Sequence, residues 1–64
     1  MKQEKLLRLD EVQDRTGLSR SQIYADPEFP KQIKISARAV AWIEEEVGVW
    51  IHDRIRAARE REAA

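Results

Sequence analysis

The chain has 64 residues, with 12 Lys/Arg balanced by 12 Asp/Glu, one His and no Cys. A chain this short buries little surface, which argues against a deep catalytic cleft, and without Cys it can form neither a disulfide nor a thiolate nucleophile or ligand. No stretch approaches the ~20 apolar residues of a membrane span, and the charged start Met1–Leu9 lacks the apolar run of a signal peptide. The expectation is a soluble, intracellular, one-domain protein of residues 1–64, placed in the cytoplasm. Its net charge of zero hides an uneven distribution. Between Arg15 and Arg38 there are five basic residues against two acidic ones, whereas residues 43–64 carry four Arg and six acids. A modest basic stretch of this kind suits either a solvated surface or contact with a polyanion.

Lys5-Leu6-Leu7-Arg8-Leu9 reads as a brief strand or an extended lead-in. Asp10 then has the character of a helix N-cap, with Gln13 completing a capping box and Val12 facing inward. On that placement Leu9 and Asp14 make no hydrophobic staple. Thr16-Gly17 closes the helix, Gly17 suiting the left-handed C-cap conformation. Ser19-Arg20-Ser21-Gln22 repeats the start signal, and Pro27 stops the second helix at or before Asp26. The second helix is therefore short, about two turns. Leu18 is placed to fill the space between the two helices.

Asp26-Pro27-Glu28-Phe29-Pro30 is a loop pinned by two prolines, with Phe29 as its buried anchor. Lys31-Gln32-Ile33-Lys34-Ile35 alternates polar and apolar residues, the pattern of a half-buried strand. Ser36-Ala37-Arg38 is the turn and Ala39-Val40-Ala41-Trp42 the return strand, making a small hairpin, or wing. From Glu44 one long helix follows. Ile43, Val47, Trp50, Ile51, Ile55 and Ala58 form its apolar stripe. Its acids gather in the first turn and Arg54, Arg56, Arg59 and Arg61 toward its end, complementing the helix dipole. Gly48 is expected to permit close packing, and residues after Arg59 to fray.

The helix, glycine turn and helix of Asp10–Tyr24 carry the strongest chemical signal. Where such a motif binds DNA, its second helix lies in the major groove. Arg20 can pair with guanine and Gln22 with adenine, Ser19 and Ser21 can reach phosphate or base, and the Tyr24 hydroxyl a phosphate. An αα-corner with a merely solvated polar face would show the same spacing. Lys31, Lys34, Ser36 and Arg38, on or beside the wing, are placed to neutralise flanking phosphates. For Lys31 and Lys34, protection of a strand edge is an equal alternative. Trp42, Trp50 and Phe29 read as core. His52 is a lone, off-stripe histidine, and Glu44-Glu45-Glu46 point in three directions around a helix. Neither makes a catalytic or metal site, and the expectation is a non-enzyme without cofactor, metal or small-molecule ligand.

The run Leu7-Arg8-Leu9 to Val12, then Arg15-Thr16-Gly17-Leu18-Ser19-Arg20-Ser21-Gln22-Ile23-Tyr24, resembles the AlpA family of phage-related DNA-binding regulators. So do Phe29-Pro30-Lys31, Ile33-Lys34-Ile35, Arg38-Ala39-Val40-Ala41-Trp42, Glu46-Val47 and Trp50-Ile51, a likeness over roughly residues 6–59. The resemblance implies a mainly α fold with a small β-hairpin, a winged helix-turn-helix related to MerR-like and excisionase domains. It has two short N-terminal helices, a wing and a long C-terminal helix. It implies a regulator of a phage or mobile element, or an excisionase that bends DNA and directs an integrase. Ser19, Arg20, Ser21, Gln22 and Tyr24 then fall in the recognition helix, and Lys31, Lys34, Ser36 and Arg38 at a wing bordering the minor groove. Tyr24-Ala25-Asp26-Pro27-Glu28-Phe29 is shorter and more acidic than in many relatives, which truncates that helix. Few contacts per copy imply cooperative binding of several copies on double-stranded DNA, with an integrase or RNA polymerase as possible protein partner. A protein–protein interaction module using the C-terminal helix is the competing class.

Overall fold

The computed structural model describes residues 4–63, so Lys2 of the charge count and both ends of the 1–64 range lie outside the described residues. In chain order the elements are β1 (Leu6–Leu7), α1 (Leu9–Thr16), α2 (Arg20–Ala25), β2 (Ile33–Ser36), β3 (Ala39–Ile43) and α3 (Glu44–Ala63). The mainly α, winged helix-turn-helix architecture read from the sequence is the one observed. The short lead-in is a strand: β1 pairs antiparallel with β3, Leu7 opposite Trp42, so the hairpin grows into a three-stranded sheet of order β1-β3-β2.

The start of α1 differs from expectation. Arg8, not Asp10, is the N-cap; its backbone N–H donates to Glu11 Oε1 at 3.1 Å, and Arg8 O accepts from Val12 N–H at 3.0 Å. This frame puts Leu7 just before the cap and Val12 at the fourth helical position, and both are fully buried in one cluster. They form the staple that a start at Asp10 lacks. Burying two large aliphatic side chains gains about 1.5–3 kcal/mol each, against about 1 kcal/mol for an Asp cap, so the staple decides the frame. Asp10 is left in the first turn, beside the positive end of the helix dipole.

The remaining local signals act as read. Gly17 takes φ +73° and its N–H donates to Gln13 O at 2.8 Å, while the Thr16 hydroxyl donates to Val12 O and accepts from Leu18 N–H. Ser19 Oγ accepts from Gln22 N–H at 3.2 Å, and Gln22 Oε1 accepts from Ser19 N–H at 2.8 Å. Asp26 ends α2 and also organises the loop, its carboxylate accepting from Glu28 N–H at 2.8 Å.

The core is Leu7, Val12, Ile23, Phe29, Trp42 and Val47, with Leu9, Leu18, Val40, Trp50 and Ile51 packed around it. Several expectations fail at the margins. β2 is exposed along its whole length, with Ile33 at 38% and Ile35 at 43%, because it is an edge strand with only β3 beside it and a bulge between Lys34 and Ser36. α3 does not fray after Arg59 but runs to Ala63, its end built from the strong helix formers Ala, Arg and Glu. Its stripe touches the core only as far as Ile51; Ile55 is 43% exposed and Gly48 faces open space instead of a neighbour. Consequently α3 overhangs the body, and the Cα radius of gyration is 13.2 Å, against about 11 Å for a compact chain of this length.

Candidate nucleic-acid interface

Ile23 is 3% exposed and fixes the rotation of α2, so Ser19, Arg20, Ser21, Gln22 and Tyr24 all lie on its outer surface. They are not equally available. Ser19 and Gln22 use one side-chain acceptor each on the reciprocal cap, which leaves the Gln22 amide nitrogen, but not its oxygen, uncommitted. A two-point pairing of Gln22 with adenine would use that nitrogen together with the second lone pair of the oxygen, which it shares with the cap. Arg20 lies over the Tyr24 ring at 5.6 Å, and that ring stands edge-on to the buried Trp42 at 6.0 Å. A core aromatic thus positions an exposed one, which in turn holds a guanidinium.

On the wing, Lys34, Ser36 and Arg38 are exposed, and Ser36 Oγ accepts from Arg38 N–H at 3.4 Å across the turn. Lys31 precedes β2 and lines a hollow of about 250 Å³ with Ile23, Tyr24, Pro30 and Trp42, so it flanks the end of α2 instead of the wing tip. A second hollow, of about 500 Å³, brings the two halves of the surface together. Arg20 and Tyr24 line it from α2, Arg38 and Val40 from the wing, and Arg8, Leu9 and Asp10 from the start of α1.

Sequence reasoning counted Arg8 as charge and gave it no role. The signal was its position between the inward Leu7 and Leu9, which turns it outward, but its neighbours become visible only when β1 is paired and α1 starts at Leu9. Among the described residues, Arg8, Arg20 and Arg38 have no acidic partner within ion-pair distance. Lys31 and Lys34 likewise have none among the described residues, whereas Arg15 meets Glu44 at 2.8 Å, Lys5 meets the same carboxylate at 3.9 Å, and Arg54 meets Asp26 and Glu28 at 3.2 and 3.3 Å. The acids of the 26–30 loop are thereby matched by α3. Arg54 also stacks on Trp50 at 5.0 Å. No cluster of three or more His, Cys, Asp or Glu exists among the described residues to hold a metal ion. No helix among them is long and apolar enough to cross a membrane.

With that geometry in place, the comparison with known families is decisive. The family model described as "Prophage CP4-57 regulatory protein (AlpA)" matches residues 5–55. The chain belongs to the AlpA family. Within it, the chain is similar to "Uncharacterized protein ORF88" of Enterobacteria phage P4, with 45% identity over 62 residues covering 92% of this chain and 69% of that protein. It is also similar to "DNA-binding transcriptional activator AlpA" of Escherichia coli K12, with 34% identity over 59 residues covering 78% and 84%. No solved structure matches. The AlpA-family match contains every residue around the hollow and every candidate on α2 and the wing. The last turns of α3, from Arg56, lie beyond it.

Proposed function

We propose that the protein is a sequence-specific, double-stranded DNA-binding transcriptional regulator of a phage or mobile element. α2 enters the major groove and the wing rests on the neighbouring minor groove and backbone. One observation carries the reading: Arg20 of α2 and Arg38 of the wing, neither with an acidic partner among the described residues, line one hollow. The relative in Escherichia coli named a DNA-binding transcriptional activator agrees with it. Ser21 and the amide of Gln22 reach base edges, Ser19 and Tyr24 reach the backbone, and Arg20, Lys31, Lys34, Ser36 and Arg38 neutralise or bond phosphates.

α2 spans only about 9 Å, so base contacts are few and affinity leans on phosphates. Copies then bind side by side, nucleoid-bound in the cytoplasm, and the exposed end of α3 meets either a second copy or an integrase or RNA polymerase. The test is enrichment from a random duplex library, followed by titration of the enriched site with the chain and with the Arg20→Ala/Arg38→Ala double variant at physiological salt. A single enriched motif and a loss of affinity of about 10²-fold or more are expected, each good Arg–base or Arg–phosphate interaction being worth roughly 1–3 kcal/mol. Undiminished affinity in the double variant would sink the assignment. A bend on the bound fragment together with stimulation of integrase-driven excision would move the function to that of an excisionase.

A further inference from the structure

We propose that Arg8, Arg20 and Arg38 form a clamp for one phosphodiester of the DNA backbone, seated in the hollow between α1, α2 and the wing. The clamp rests on the DNA-binding reading above and adds to it a site and a residue. The three guanidinium groups come from three separate segments, the N-cap of α1, the first turn of α2 and the wing turn, yet line one hollow of about 500 Å³. Asp10 is the single acid on its wall, so the lining is net cationic. None of the three has an acidic partner among the described residues, whereas Arg15 and Arg54 do. Cations gathered this way repel one another mildly until an anion arrives.

The chemistry selects a phosphate. Guanidinium groups hold phosphate oxygens through paired N–H donors, and Tyr24 on the same wall offers a hydroxyl. Position selects a backbone phosphate. When α2 lies in a major groove and the wing on the adjacent minor groove, the strand dividing the two grooves passes over whatever lies between them, which here is this hollow. Arg20 is held ready by its stacking on Tyr24, whose ring stands edge-on to Trp42. Arg8 is held by the helix frame itself, since its backbone N–H is tied to Glu11 while its side chain stays exposed.

The test is a titration of a mixed-sequence duplex of about 40 base pairs with the whole chain, by fluorescence anisotropy, between about 50 and 200 mM KCl. Each neutralised phosphate adds about 0.9 to the slope of log affinity against log salt. With the clamp on one phosphate and Lys31 and Lys34 on one each, the native slope is expected at about −2.7. Arg8→Gln is expected to weaken binding about tenfold at the middle of the salt range and to flatten the slope by only a fraction of the per-phosphate step, because Arg20 and Arg38 stay on the same phosphate. Arg15→Gln, whose guanidinium is already paired with Glu44 away from the candidate interface, is expected to leave both unchanged. Thermal unfolding of Arg8→Gln without DNA is expected at or slightly above the native temperature, because the capping contact uses backbone; a clear fall would mean that Arg8 serves the fold and would overturn the clamp. Unchanged affinity in Arg8→Gln, with native binding intact, overturns the clamp alone. Failure of the native chain to bind any duplex overturns the DNA-binding reading with it.

Discussion

At Gly48 a Cβ would meet nothing within 4 Å, and the residue lies inside α3 at an ordinary helical φ. At Gly17 the surroundings are equally open, but φ is +73°. These two glycines therefore respond oppositely to the same substitution. Gly48→Ala is expected to stabilise the protein by up to about 1 kcal/mol, since it removes unfolded-state freedom and meets no neighbour. Gly17→Ala is expected to destabilise by about 1–2 kcal/mol, the cost of a side chain in the left-handed region. For a domain of this size these figures correspond to melting shifts of about 4–8 °C per kcal/mol, read by circular dichroism. Gln22 shows how one residue type carries two readings. Its spacing from Ser19 announces a cap and its chemistry announces adenine, and the cap takes one of the two lone pairs of its carbonyl oxygen.

Among the elements, those written in local chemistry were legible. Gly17, the Ser19–Gln22 box and Pro27 fix the turn, the second start and the second stop within a few residues of themselves, and each acts as the sequence indicates. The start of α1 was misplaced because Asp10 is a good cap in isolation, while the burial of Leu7 with Val12 depends on the sheet that β1 joins. β2 read as half-buried because alternation shows which residues share a face, not whether anything covers that face. The acidic loop read as a liability for DNA binding because Arg54 is its partner from 28 positions along the chain, beyond any local pattern. Arg54 is half exposed in that contact and Asp26 partly so, which leaves it open to solvent and its worth modest. Arg54→Met, which keeps the stem over Trp50, is expected to cost under about 1 kcal/mol, with the difference from the native protein vanishing at high salt in denaturant titrations. A larger, salt-independent loss would show that the loop depends on the guanidinium for its conformation. Arg8 was the part of the candidate interface that stayed hidden, since three chain segments must come together before its neighbours exist.

On the scale of the whole molecule, the body is built from residues up to Ile51, and the rest of α3 extends from it, giving extents of 46 × 33 × 19 Å. Beyond the Arg54 contact this end adds little to the core, Ile55 being exposed and Ala58 half-buried. Deleting residues 59–64 is therefore expected to change folding stability by less than about 1 kcal/mol. On a multi-site duplex the same deletion is expected to turn cooperative binding into independent binding, seen by sedimentation as loss of the multiply loaded species at equal protein concentration. Retained cooperativity would move the contact between copies to the wing.

β3 ends at Ile43 and α3 begins at Glu44 with no residue between them, and the first N–H of the helix donates to O of Lys5, just before β1, at 2.8 Å. The strand of the wing and the long helix are therefore joined without a hinge residue, and Trp42 and Val47 seat both in one core, so the body and the overhang turn together. α3 is about 30 Å long, so a rotation of roughly 10° imposed on the wing by the width of a groove carries the far end of the helix through about 5 Å. The local shape of the duplex at one end becomes a displacement at the other, where the next copy or a recruited protein would feel it. Inserting a flexible residue between Ile43 and Glu44 would uncouple the two ends without touching a single group that faces the DNA.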